Sequence, residues 1–164
     1  MDAKLSIDML NKGVGDELQA IHQYMYWHFH LDDQGFGPLS GLFRKIAISE
    51  MVHLEKFAER ILFLKGDVEM KPTGPVEKIT EPQKILQRAA EMELDAATTY
   101  NKFSLKSSEN EDAASKQLFE ESVADEEGHY DLFDKQLENI KRFGPNYLAL
   151  QSFGAAAEEK PASQ

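Results

Sequence analysis

The sequence predicts an all-α protein: a bundle of four long helices, one long connection between the second and third, and a short fifth helix. Three observations predict it. Apolar residues recur at three- and four-residue steps over long segments. The interruptions fall at glycine, proline and polar clusters. Finally, the set Glu17, Glu50, His53 recurs as Glu93, Glu126, His129, every residue displaced by 76 positions.

The first helix is expected from Ser6 to Leu31, with Ile7, Leu10, Val14, Leu18, Ile21, Met25 and Trp27 at helical spacing. Asp32-Asp33-Gln34-Gly35-Phe36-Gly37-Pro38 ends it, and Pro38 suits the first turn of the next helix. The second helix runs to about Gly66 on a stripe of Leu39, Phe43, Ile46, Glu50, His53, Phe57, Ile61 and Leu64. Gly66 to Ile79 holds Pro72, Gly74 and Pro75 without a sustained period, so a long crossover joins the two halves. Thr80-Glu81-Pro82-Gln83 reads as a capping box with Thr80 as the cap.

The third helix follows to about Ser107, with Ile85, Ala89, Glu93, Ala96, Tyr100 and Phe103 facing inward. The fourth carries Phe119, Ser122, Glu126, His129, Phe133, Leu137 and Ile140 and stops at Gly144-Pro145. Four helices of about 26 residues are roughly 40 Å long. Asn146 to Phe153 provides a short fifth element. One domain is expected over residues 1–153, with a small, polar and disordered tail over 154–164.

A formal net charge of −11 and a pI near 4.9 argue against binding to phosphate backbones, which relies on clustered Lys and Arg. Nucleic acid is therefore not an expected partner. No apolar stretch approaches the length of a membrane span, and the N-terminus lacks the plan of a secretory signal, so a soluble cytoplasmic protein is expected. Cysteine is absent, which leaves oxygen and nitrogen as the ligands for any metal.

The inward stripes are interrupted by charge. Glu17, Glu50, His53, Glu93, Glu126 and His129 stand where apolar residues would otherwise be, each near the middle of its helix. A Glu followed three residues later by His projects both from one helical face. Two such pairs and two further Glu are the ligand set of carboxylate-bridged di-metal sites in four-helix bundles. Four converging carboxylates are prohibitive to bury unless neutralised, and two divalent ions would balance their charge. Ligand chemistry alone admits iron, manganese or zinc; iron is favoured because two carboxylate-bridged ions can jointly deliver two electrons to O2 or peroxide. Tyr24, seven residues from Glu17 and near the same stripe, either supplies a further electron or is a core tyrosine bonded to a ligand carboxylate. Met51 points about 100° away from Glu50, towards a surface shared with Ala47, Leu54 and Ala58. His22, His28 and His30 diverge around the first helix and are expected at a surface or interface.

With these residues in place, the chain resembles the bacterioferritins from Leu10 to Gln151. The segments that carry the resemblance are Asn11 to Tyr24, Glu50 to Gly66, Asp125 to His129, and Asn146-Tyr147-Leu148. The resemblance implies a ferritin-like four-helix subunit with a short fifth helix, forming a hollow 24-subunit homo-oligomer that oxidises Fe(II) and stores ferric mineral. It implies that Glu17, Glu50, His53, Glu93, Glu126 and His129 are ferroxidase ligands for two iron ions per subunit, with Glu50 and Glu126 bridging. It also implies that Met51 ligates haem b, one haem per two subunits, and that a redox partner drives iron release. Val52 and His22 depart from the family pattern near that methionine. Two other ferritin-like classes fit less well. A DNA-protecting mini-ferritin usually builds its site between subunits, and a rubrerythrin-like peroxidase needs a cysteine-bound donor.

Overall fold

The computed structural model describes residues 1–158 of the chain. It contains α1 (Ala3–Asp33), α2 (Gly37–Phe63), α3 (Pro82–Glu109), α4 (Ala113–Phe143) and α5 (Tyr147–Glu158). The all-α bundle expected from the sequence is the observed architecture. α1 packs along α2 and α3 along α4, giving two antiparallel hairpins joined by the crossover. Among the described residues, no helix is long and apolar enough to cross a membrane.

The helix ends are set by local chemistry. α1 begins earlier than its apolar stripe because the Asp2 carboxylate accepts from the backbone N–H groups of Lys4 and Leu5. The turn to α2 places Gly35 at φ 85°, where a side chain would be strained. α3 is capped by Glu81, whose carboxylate accepts from Gln83 and Lys84 N–H; the expected Thr80 cap is corrected. Pro82 explains the shift. It occupies the first helical position with its φ already fixed, so the residue just before it is extended and becomes the cap.

The internal repeat extends to the core. Tyr24, Trp27 and Phe43 pack with Phe133 on one side of the bundle centre. Their counterparts 76 positions away, Tyr100, Phe103 and Phe119 with Phe57, form a second cluster. Phe43 and Phe133 ring centroids are 4.9 Å apart, and Phe57 and Phe119 are 5.3 Å apart. Burying each such ring contributes about 1.5–3 kcal/mol. On all four helices the charged residues of the repeat fall in sequence between these two clusters, so apolar packing closes the bundle centre from both ends.

The crossover is tied to α1 by side-chain amides that bond the extended backbone with both ends. Asn11 donates to Asp67 O and accepts from Glu69 N, each at 2.9 Å. Gln19 pairs with Pro75 O at 2.8 Å and Gly74 N at 3.0 Å, and Gln23 with Glu77 O at 3.1 Å and Glu77 N at 2.7 Å. Gly15 permits the approach, since a Cβ there would stand 3.0 Å from Lys71 O.

α5 is longer than expected: it begins at Tyr147 and continues through Glu158, so helix extends into the tail that was expected to be disordered from residue 154. Residues 159–164 of that expected tail lie outside the described residues. Leu148 anchors α5 in the first core cluster, while Leu150 and Phe153 are exposed.

At the opposite end, Asp112 caps α4 and collects three helices. It accepts from Ser115 N–H at 3.1 Å, from the Ser6 hydroxyl at 2.6 Å and from Arg60 Nη2 at 2.6 Å. Burial pushes its carboxyl upward, but the bonds from Ser6, Ser115 and Arg60 prevail and hold it at about 2. Asp112→Ala should therefore lower stability by about 2–4 kcal/mol. A depressed folded value means that the charge-dependent part of this stabilisation is complete above about pH 4 and is lost as pH falls towards 2. Urea unfolding of both proteins across that window should show the difference shrinking; an unchanged difference at the acid end would assign it to packing.

Candidate metal centre

The i, i+3 spacing does what helical geometry requires. α2 turns Glu50 and His53 to the bundle centre, and α4 turns Glu126 and His129 to meet them. α1 contributes Glu17 and α3 contributes Glu93; all six side chains are buried.

They form two overlapping groups, Glu17-Glu50-His53-Glu126 and Glu50-Glu93-Glu126-His129, whose ligand atoms lie within 4.8 Å of one another in each group. The internal twofold is visible atom by atom. His53 Nδ1 lies 3.0 Å from Glu50 Oε2, 3.3 Å from Glu126 Oε1 and 3.5 Å from Glu17 Oε1. His129 Nδ1 lies 3.0 Å from Glu50 Oε1, 3.3 Å from Glu126 Oε2 and 3.5 Å from Glu93 Oε2. Glu50 and Glu126 thus offer one oxygen to each group, while Glu17 and Glu93 each serve one.

Several of these atoms converge without bonding one another. Glu50 Oε2, Glu126 Oε1 and His53 Nδ1 are buried and have no hydrogen-bond partner, which is costly for polar atoms away from water. Their lone pairs aim at common points, the arrangement a pair of cations would satisfy. The donor set, carboxylate with imidazole and no sulfur, fits ferrous iron.

Without a cation, burial favours the protonated form of two of the four carboxylates. Burial, then the charges of Glu126 and Glu50, raises Glu17 well above the ordinary carboxylate range. Burial likewise raises Glu93, with Glu50 adding to it against the opposing bond from His129. Burial works against protonation of the histidines, but the surrounding carboxylates prevail: His53 is raised strongly and His129 is pushed up to about 12. Burial also opposes ionisation of Glu126, yet the His129 contact and the nearby His53 ring bring it down to about 2.

Tyr24 on α1 donates its hydroxyl to Glu93 Oε1 on α3. Tyr100 on α3 returns the arrangement, donating to Glu17 Oε1 on α1 at 2.7 Å. Burial and the neighbouring carboxylates raise both phenols well above their usual range, so both remain donors. Sequence reasoning singled out Tyr24 but gave Tyr100 only a packing role; adding the repeat interval of 76 to Tyr24 finds it. Asp125 was also missed as a site residue. Its carboxylate is exposed, yet Oδ2 lies 2.9 Å from His53 Nε2, the ring nitrogen turned away from the centre. A cavity of about 230 Å³ reaches Glu17, Glu50, Glu93 and Glu126 from the face between α1 and α3 and is lined towards its mouth by Asp16, Thr73, Arg88 and Asp95.

Met51 does not join this cluster. It is 45% exposed beside the similarly exposed Ile48 and Val52. Ala47, Met51, Leu54 and Ala58 share one side of α2, along which Ala47 and Leu54 are buried in the core while Met51 stays exposed. His22 is exposed, the ring of His30 packs 4.4 Å from that of Tyr26, and His28 Nδ1 lies 2.8 Å from Ser40 Oγ on α2. None of the three reaches the centre.

The family model for ferritin-like domains matches residues 7–143. The chain is 36% identical over 143 residues to a bacterioferritin of Desulfovibrio desulfuricans, covering 87% of this chain and 80% of that protein. It is 36% identical over 150 residues to a Rhodobacter capsulatus bacterioferritin, covering 91% and 92%. The structure matches an X-ray structure of the Desulfovibrio desulfuricans bacterioferritin, described with its diiron site in different catalytic states, at TM-score 0.87 and 35% identity over 90% of this chain and 86% of that one. It also matches a structure of Rhodobacter capsulatus bacterioferritin with a metal-free dinuclear site and haem iron in a crystallographic special position, at TM-score 0.87 and 34% identity over 93% and 94%.

The upward shifts at His53, His129, Glu17 and Glu93 have a measurable consequence. A divalent cation must displace protons from His53, His129, Glu17 and Glu93, so apparent affinity should rise with pH and binding should release protons. Titrating metal-free protein with Zn(II) at neutral pH in buffers of different ionisation enthalpy should reveal that release. A binding heat independent of the buffer would show the ligands already deprotonated.

Proposed function

The chain belongs to the bacterioferritin family, iron-storage proteins with a di-iron ferroxidase centre, and from that premise we propose which of its residues carry each part of the function. Glu17, Glu50, His53 and Glu126 would hold one Fe(II), and Glu50, Glu93, Glu126 and His129 the other, with Glu50 and Glu126 common to both. The observation that carries this reading is the two overlapping buried ligand groups within one chain. Two ferrous ions held together supply the two electrons that reduction of O2 or peroxide requires, and the Fe(III) formed is the material stored.

The chain's own part is positioning and charge. Glu17 and Glu93 give up protons as ions arrive, so four carboxylates and two divalent ions leave the buried centre neutral. Tyr24 and Tyr100 fix the rotamers of Glu93 and Glu17 from opposite hairpins. That contact favours Tyr24 as a positioning residue. The two aromatic clusters exclude water on either side, and the cavity between α1 and α3 leaves an approach for small species. Fixed separation of the ions lets both electrons leave together.

The proposal extends to the assembly. All six ligands lie in one chain and α5 follows α4, features that favour a large cage of about 24 copies over a mini-ferritin with its site between subunits. Met51 would hold haem b jointly with the same residue of a second copy. Its sulfur stands in an exposed apolar patch with Ile48 and Val52 that suits a porphyrin face. The special position of the haem iron in the Rhodobacter capsulatus relative is in keeping with sharing between symmetry-related copies. Such a haem would supply electrons for mineral reduction, fed by a separate redox protein. The reading includes a cytoplasmic location.

Glu93→Ala or Glu126→Ala should slow initial aerobic Fe(II) oxidation by more than about 100-fold, beyond what loss of a supporting partner alone costs. Assembly size should not change, and unaltered rates in correctly assembled variants would overturn the ligand assignment. Met51→Leu should abolish the haem absorption of the isolated protein and leave the initial oxidation rate as it was. A surviving haem band would assign the ligand elsewhere.

A further inference from the structure

The internal twofold that relates the two halves of the centre breaks at the outer nitrogens of its two histidines. Asp125 precedes the bridging Glu126 on α4 and lies 2.9 Å from Nε2 of His53. The position 76 residues earlier, preceding the bridging Glu50 on α2, is Ser49. A serine hydroxyl is uncharged and one bond shorter than a carboxylate. Every partner of His129 in the structure is on Nδ1, and among the described residues none bonds its Nε2. The His129 side chain is also more open, 11% exposed against 2% for His53. The bridging glutamates, the terminal glutamates, the tyrosine donors and the distances to the imidazoles are matched across the twofold.

We propose that the two metal positions of this centre are unequal, a tight one at His53 and a weaker, faster-exchanging one at His129, and that Asp125 and Ser49 set the difference. A carboxylate on the outer nitrogen of a metal-ligating imidazole fixes its tautomer and ring plane and makes the inner nitrogen a better donor. His53 has that support and His129 lacks it. Losing such a partner typically reduces metal affinity 10- to 100-fold. The bridging glutamates cannot produce the asymmetry, because each presents one oxygen to each position. Asp125 and Ser49 are positioning residues, acting through the histidines. The inference rests on the dinuclear reading given above.

The test is anaerobic titration of the metal-free, assembled protein with Co(II), followed by visible absorption and calorimetry together. Two ions per subunit should bind in two steps whose affinities differ by about 10- to 100-fold. Ser49→Asp should tighten the second step by about tenfold and leave the first in place. Asp125→Asn should weaken the first step by a similar factor and alter the spectrum of the first ion bound, a change that a purely structural role would not produce. Two indistinguishable sites in the unaltered protein would overturn the inference while leaving the dinuclear centre intact. So would a second step unmoved in assembled Ser49→Asp protein; if that variant fails to assemble, an unmoved first step in Asp125→Asn has the same force. Fewer than two ions per subunit would instead bring down the dinuclear reading, and the inference with it.

Discussion

Four carboxylates buried together in a helix bundle are the constraint around which this molecule is organised. Each would cost several kcal/mol if left ionised and unpaired away from water. With no metal bound, burial shifts Glu17 and Glu93 towards the protonated form, and the surrounding carboxylates shift both histidines towards the charged form. Divalent ions then replace protons as counter-charge. The centre is therefore an exchanger, and its affinity for iron is inseparable from local acidity.

Tolerating such a centre takes apolar packing elsewhere. The helices carry their large aromatic residues on both sides of the charged belt, in two clusters exchanged by the same repeat that generates the ligands. Smaller residues let the elements approach: Gly13 faces the Phe57 ring and Gly15 faces the crossover backbone. The crossover is tied to α1 along its length by the amides of Asn11, Gln19 and Gln23. Function and fold draw on the same duplicated plan.

The bundle and the six ligand-type residues were legible in the sequence because helical periodicity and exact repetition are both one-dimensional signals. Charged residues inside an apolar stripe stand out without any coordinates. The Thr80 cap was misread because Pro82 competes with the capping box, and proline's fixed torsion wins. Burial along the Met51 side of α2 is uneven, with Ala47 and Leu54 in the core and Met51 exposed, a difference that helical spacing alone does not carry. Asp125 was hidden for a different reason. It is an exposed acid among many, and only the distance to His53 across two helices distinguishes it.

The crossed tyrosine bonds couple the two hairpins in a way that neither could reproduce alone. Tyr24 belongs to the first hairpin but satisfies a carboxylate of the second, and Tyr100 does the reverse. If the hairpins separate, both phenols lose their acceptors and neither ligand group stays complete, because each group draws on both hairpins. The full pair of ligand groups therefore exists only where the two hairpins are docked.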